Sequence, residues 1–433
     1  MSAARFRWTG RLAGLAPADR EALVDRAREQ TPAVRERVAS ILAAVRRDGD
    51  AALRSLALEL DGVALAALEV PRERCREALR VLDPTLRSAL ERAARNIAAF
   101  HRAGLPLAFE LETEPGVVVG RRPDPLARVG IYAPGGRAAY PSTVLMCAIP
   151  ARAAGVESVV LCSPPGPGGA PDDIVLAAAE LAGVDRVFAL GGAGAIAAMA
   201  YGTASVPRVD RIVGPGNSYV MEAKLAVTSV CSIDSPAGPS ELMVVADGDA
   251  DADTVAREMI AQAEHDPETS VVAITLGAEA AERIAASIER GLPDEPRREV
   301  IAAALAARGA LLVAEDQMQA LEFAAAYAPE HLLLAVRDPA AALSRVRNAG
   351  TVFLGDSSSV AFGDYATGAN HTLPTGGLAR SYSGLSALDF VRWTTWQRVT
   401  PEAAARLADD VARLATAERL PAHARAAAAW SRR

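Results

Sequence analysis

The amino-acid sequence predicts an α/β protein with two parallel-sheet domains and helical segments at both ends. Three observations predict it. Short β-rich runs alternate with helical stretches in one block that ends near residue 214, and again in a second from about 241 to 355. Such alternation implies parallel sheets with helices on both faces. The chain has 433 residues, 51% apolar and 23% charged, which is material for two or three domains with large cores. Its first hundred residues, in contrast, read as helical.

The elements follow in order. Thr31 is an N-cap before Pro32 at the first helical position, and the apolar residues of AVRERVASILAAVRRDGD recur at helical spacing. Residues 71–104 read as two helices broken at Asp83-Pro84. GVVVGRRPDPLARVGIYAPGG then predicts short strands around a Pro-containing turn. The strands ESVVLCS, RVFAL and RIVG are separated by helices near 141–154, 171–183 and 193–202. ELMVVAD, SVVAITL, ALLVAE, HLLLAV and TVFLG form the second block, with helices between. The Ser/Gly-rich segment after 355 is too long for an ordinary connection, and such loops are functional or disordered. Two or three helices close the chain from about 384 to 431, and SPPGPGGAP at 163–171 reads as a surface loop.

Composition excludes some functions. Basic minus acidic residues is 46 − 53 = −7, which argues against a nucleic-acid partner. Of the basic residues only Lys224 is lysine. No uncharged apolar run reaches the ~18 residues of a membrane span, and the N-terminus has no apolar core of signal-peptide length. Cys75, Cys147, Cys162 and Cys231 lie far apart, and the surroundings of Cys147 and Cys162 read as buried and reduced. A cytoplasmic location is therefore expected.

The five histidines carry most of the functional signal. His101 has a bland setting near a helix end, whose partial negative charge favours it. Gln262 and His265 are three apart on the last turn of a helix capped at Asp251 or Asp253, where they can ligate zinc or simply end the helix. Glu330 and His331 open an apolar strand and can supply two proton-transfer groups, provided the turn after Pro329 breaks the strand's alternation. Asp364 and His371 lie in the long loop, as metal or substrate ligands or as turn residues. Glu418 ends one helix and His423 opens the next after Pro421, which is also how a solvated helix junction reads. Together the clusters offer Gln, His, Asp and His as ligands with Glu, His, His and Glu to spare, close to a catalytic zinc site with its own acid–base pair.

Three glycine-rich turns stand beside strand ends. Leu190–Ala197 reads as G-x-G-x-x-A, which lets a dinucleotide phosphate approach a helix N-terminus. Asp210 is near the distance expected of a ribose-binding acid, although it precedes a β-run instead of ending one. Val213–Asn217 and Tyr132–Gly136 are further backbone-exposing turns of the kind that bind ligands in open α/β sheets.

Read together, IYAPGGRAAYPSTVLMCAIPARAAGV, GGAGAIAAMAYGT, DRIVGPGNSYV, AGPSE, QAEH, APEHL, GDYATGANHTLPT and the late E-x4-H resemble the histidinol dehydrogenase family, in its order, from about 130 to 425. The resemblance implies NAD-dependent oxidation of L-histidinol to L-histidine through an aldehyde, a zinc ion in each subunit and an intertwined homodimer. It implies Gln262, His265, Asp364 and His423 as zinc ligands, the late His and Glu reaching the site from the partner subunit. Glu330 and His331 become the proton-transfer pair. Ser240, His371 and Glu418 become substrate contacts, beside the ligands and His331. Tyr132, Gly194 and Asn217 become cofactor contacts.

The implied fold is two incomplete Rossmann-like parallel-sheet domains with helical extensions. The expected division is an N-terminal arm at 1–24, a discontinuous zinc and catalytic domain at 25–131 and 240–383, a cofactor-side domain at 132–239 and a helical tail at 384–433.

Two positions depart from the family pattern. Members often carry Gln where this chain has Gly194. Many have Pro-Glu where it has Ser359 and Val360, that Glu lining the imidazole pocket. A valine cannot copy a hydrogen bond to an imidazole N–H. Val360 therefore motivates an alternative, a homologous zinc and NAD dehydrogenase of another small alcohol or diol, such as a sulfonated propanediol. A non-catalytic zinc-binding dimer is the remaining alternative. Glu330 and His331 argue against it, because a structural site needs no spare acid–base pair and prefers cysteine.

Overall fold

The structure, a computed structural model, describes residues 5–26, 31–135 and 139–431. Gly136 and the extreme ends of the expected arm and tail lie outside the described residues.

After Glu241 the strand Glu241–Ala246 is apolar on both sides of its pleat, and it lies inside a six-stranded sheet. The sheet order is Trp8–Arg11, Gly309–Val313, Ser270–Thr275, Glu241–Ala246, His331–Ala335 and Thr351–Leu354, with every pair parallel. Leu242 and Val244 pack on Val255, Met259 and Ile301 on one face. Met243 and Val245 pack with Trp8, Leu23 and Phe323 on the other. Burial on both faces is why these strands read as unbroken apolar runs.

The second sheet has the order Glu69–Val70, Arg186–Ala189, Ser158–Ser163, Arg128–Tyr132, Arg211–Val213 and Ser232–Ile233, parallel except for the first pair. The expected helices appear at Pro141–Ala153, Asp173–Leu181 and Gly192–Tyr201. The strand order reverses between Arg128–Tyr132 and Arg211–Val213, and their carboxyl ends form the crevice where open α/β sheets bind ligands.

The expected division of the chain needs correcting. Helices Pro32–Asp48, Asp50–Leu56, Arg72–Val81 and Pro84–Ala103 bury Val38, Ile41, Leu53 and Ile97 in one core with Val129, Ile131 and Leu161. They belong with the second sheet, not with 240–383, because that is where their apolar stripes find cover. Thr31 caps the first of them as expected, and Asp83, read only as a break, caps the last.

Neither end is purely helical. Trp8–Arg11 pairs in parallel with Gly309–Val313, and its WTGR is too short to show alternation. Val391–Val399 pairs antiparallel with Val117–Pro125, which also pairs with Phe109–Glu114 in a third sheet. Its VRWTTWQRV is rich in β-branched and aromatic residues, a β signal that the alanine-rich helices after it obscured.

His101 is also not what its position suggested. It is buried, and burial pushes its imidazole down to about 4, so desolvation outweighs the helix end. All four cysteines are buried and free. No helix among the described residues is long and apolar enough to cross a membrane.

Candidate active site

The site is built on the amino ends of the first sheet's strands. Helix Gln317–Tyr327 ends at Ala328, which is left-handed at φ 53°, an uncommon conformation for alanine. The turn places Glu330 just outside strand His331–Ala335, so the strict alternation of a strand does not apply to it. Both side chains turn toward the same neighbour. Glu330 Oε2 accepts from the backbone N–H of Glu241 at 2.7 Å, and His331 Nδ1–H donates to the Glu241 carbonyl at 2.9 Å. The two side chains approach to 3.5 Å and are almost fully buried.

A carbonyl only accepts, so Nδ1 carries the proton and Nε2 is the free, basic nitrogen. That Nε2 is buried with no hydrogen-bond partner, and it lies 3.5 Å from Asp364 Oδ1. Burial opposes charge on His331, yet Glu330 and then Asp364 outweigh it and raise its pKa, which makes the free Nε2 the stronger proton acceptor. Burial likewise pushes the Glu330 carboxyl up.

Asp364 sits on the short helix Val360–Tyr365. Gly363 lets this helix lie against Phe353, since a Cβ there would come within 2.6 Å of the ring, and Phe353 in turn stacks on His331 at 6.0 Å. Burial opposes ionisation of Asp364, but His331, His371 and His265 together hold its carboxyl below the usual range. His371 Nδ1–H donates to the Asp364 carbonyl at 2.8 Å, and Thr143 Oγ1 lies 3.4 Å from its Nε2.

Helix Ala252–Ala263, capped by Asp251, carries buried Gln262, with His265 just past its end. Desolvation lowers the pKa of His265, and Asp364 is the strongest charge opposing that shift. Glu258, Gln262 and His265 have the i, i+4, i+7 spacing of one helical stripe. Glu258 Oε2 accepts from Val360 N–H at 3.0 Å, so that stripe also holds the start of the Asp364 helix.

Glu418 and His423 stand apart. Both are exposed in the single chain, at the junction of helices Pro401–Ala417 and Pro421–Ala428. Among the described residues no three His, Cys, Asp or Glu side chains of one chain form a metal cage. The expected ligand set supplies only His265 and Asp364 of those types from this side, since Gln262 is an amide and His423 lies elsewhere. The nitrogen and oxygen donors that do come together suit zinc, and the orphaned Nε2 of His331 faces their carboxylate.

A cleft of about 1080 Å³ lies at the carboxyl end of the second sheet. Tyr132, Gly194 and Asn217 all line it, as does the Pro164–Gly169 stretch that sequence read only as a surface loop. Gly192 N–H donates to the Tyr132 hydroxyl at 3.1 Å, and Asn217 Oδ1 caps helix Ser218–Ala226. A Cβ on Gly194 would meet Leu56 at 3.1 Å, so leucine fills the space beside the glycine. Asp210 is excluded from the cleft: its carboxylate binds Arg128 N–H at the opposite ends of the strands.

Lys224, the single lysine, is buried against Asp234 and donates to the Gly214 carbonyl at 3.0 Å, while Asp234 accepts from Gly214 N–H at 2.8 Å. The pair holds the turn before Asn217 by both of its backbone groups. Gly214 has φ 113°, and a Cβ there would lie 2.1 Å from the Tyr132 carbonyl oxygen. The segment that carries His371 is tied to helix Pro141–Ala153, where Asn370 donates to the Met146 carbonyl at 2.6 Å.

The family model for histidinol dehydrogenase matches residues 24–430. The chain belongs to the histidinol dehydrogenase family. A crystal structure of histidinol dehydrogenase from Elizabethkingia anophelis superposes with a TM-score of 0.94 at 33% identity, covering 99% of both chains. Histidinol dehydrogenase from Methanosarcina mazei is 44% identical over 90% of each chain. That from Pseudomonas syringae pv. tomato is 46% identical over 91% of this chain and 88% of its own. The membership makes this chain an oxidoreductase.

Sequence reasoning about the histidinol dehydrogenase site missed Glu241, Arg26 and Glu258. The available signal was a charged residue opening the otherwise apolar ELMVVA, since a buried charge needs a partner.

Proposed function

We propose that this chain oxidises L-histidinol to L-histidine through L-histidinal, the last step of histidine biosynthesis, as a zinc-containing homodimer that uses NAD. The observation that carries the reading is the state of His331: one nitrogen protonated and bound to a carbonyl, the other buried, unpartnered and beside Asp364.

Gln262, His265 and Asp364 would hold zinc together with His423 of the partner subunit. When bound, zinc would supply a Lewis acid and NAD a hydride acceptor for each of the two oxidations. The chain's own residues move the protons. His331 Nε2 takes the proton of the carbinol hydroxyl. Glu330, raised by burial toward neutrality, then takes a proton from the water that adds to the aldehyde. Ser240, His371 and the partner subunit's Glu418 would orient the substrate, and Tyr132, Gly194 and Asn217 would line the cofactor's place.

The test is NADH release measured separately with L-histidinol and L-histidinal, with and without a chelator. Glu330→Gln should spare alcohol oxidation and slow aldehyde oxidation. Equal loss of both rejects the division of labour.

One observation favours a second reading. Val360 is packed into the apolar core, so its position offers no carboxylate to an imidazole. Faster turnover of another small alcohol or diol than of histidinol, in a substrate panel, would select that reading.

A further inference from the structure

Glu241 is the point at which the catalytic cluster is tied to the rest of the fold. It opens the strand between Ser270–Thr275 and His331–Ala335, paired with Ser270 on one side and one residue before the Leu242–His331 pair on the other. Its peptide N–H holds Glu330 and its carbonyl holds His331 Nδ1–H. Any displacement of this one residue therefore moves both proton-transfer groups.

The side chain prevents that displacement. Glu241 is 3% exposed and Arg26 6%, and the two form a bidentate pair at 2.8 and 2.9 Å. Arg26 also donates to the carbonyls of Tyr327 and Val24, both at 2.9 Å, and lies 3.3 Å over the Tyr327 ring. Glu241 Oε1 accepts a further bond from Gly376 N–H at 2.9 Å. Gly376 closes the segment that carries His371, and Thr375 of that segment accepts from Gly238 N–H at 2.5 Å. One ion pair thus joins the N-terminal segment, the end of helix Gln317–Tyr327, the strand under the catalytic pair and the His371 loop.

A buried ion pair is weak evidence for stability, because desolvation offsets the attraction. Fixing geometry is a better account of why charge is kept here. We propose that Glu241, neutralised by Arg26, is a positioning residue that holds Glu330, His331 and the His371 loop in one arrangement. The proposal rests on the assignment of Glu330 and His331 given above.

The test uses the full-length, metal-loaded protein. Glu241→Gln strands Arg26 as an unpaired buried cation and can fail to fold, so Glu241→Gln with Arg26→Met is the informative variant. It is expected to keep its thermal midpoint, metal content and KM for L-histidinol. Its kcat should fall roughly 10- to 100-fold with both L-histidinol and L-histidinal, the scale of a misplaced catalytic group. Glu241→Asp, which keeps the charge on a shorter arm, should recover only part of this. Wild-type kcat in the double variant overturns the proposal, and so does a loss that merely tracks lost folded protein or lost metal. Glu330→Gln and His331→Asn are measured alongside. If they leave turnover intact, the reading of the catalytic pair has failed. If they abolish it while the double variant stays fully active, only the role of Glu241 has failed.

Discussion

The imidazole of His331 donates Nδ1–H to the main-chain carbonyl of Glu241 at 2.9 Å, which leaves Nε2 as its only basic nitrogen. A side chain that fills the space without a basic nitrogen should therefore stop proton transfer while sparing the fold. His331→Asn is expected to lower turnover of L-histidinol by about 10²- to 10⁴-fold, the usual range for a general base. NADH release together with metal content checks it, and the metal content should not change.

The exposure of Glu418 and His423 leads to a test of shared sites. His423→Ala and His331→Asn should each be nearly inactive as homodimers. On the proposed dimer, co-expression should restore activity, because a mixed dimer would contain one site with an intact His331 core and an intact His423 from the other chain. No recovery in mixed dimers isolated by two affinity tags would place His423 in the site of its own chain.

Gly194 and Leu56 form a fitted pair. Gly194→Gln drives a side chain into Leu56 and should lower stability by roughly 1–3 kcal/mol, as overpacking does. Adding Leu56→Ala should recover most of that loss. Thermal unfolding of the two variants checks the prediction, and an unchanged midpoint in Gly194→Gln would show the space to be open.

His101 makes stability depend on pH. Its folded-state pKa is about 4 against an ordinary 6.5, and its Nε2 is buried without a partner. Between those values the unfolded chain binds a proton that the folded chain refuses. The contribution is complete above about pH 6.5 and is lost as pH falls toward 4, by about 3 kcal/mol over the window. His101→Leu should remove this term. Thermal midpoints at pH 7 and at about pH 4.5 should therefore fall less in the variant than in the wild type; parallel falls would reject the assignment.

Much of this protein was legible before its structure. The alternating blocks specified two parallel sheets, because a strand covered on both faces must be apolar throughout, as ELMVVA and SVVAIT are. The turn at Pro329, the Asp251 cap and the long loop after 355 all marked places where side chains with chemistry would gather. Lys224 was visible as an oddity of composition, but nothing local said that a buried carboxylate and a glycine turn surround it.

Sequence alone determined the element types of the two alternating blocks and most of the candidate residues, since periodicity and turn chemistry are local properties. Tertiary structure decided which helices cover which sheet and that the Glu330–His331 cluster sits at the amino ends of its strands. It also decided that the peptide groups of Glu241 set the orientation of Glu330 and His331. Those depend on contacts between residues such as Arg26, Glu241 and Gly376, which are far apart in the chain and share no local pattern. Spacing carries no trace of such contacts, because packing and burial create them only once the chain is folded.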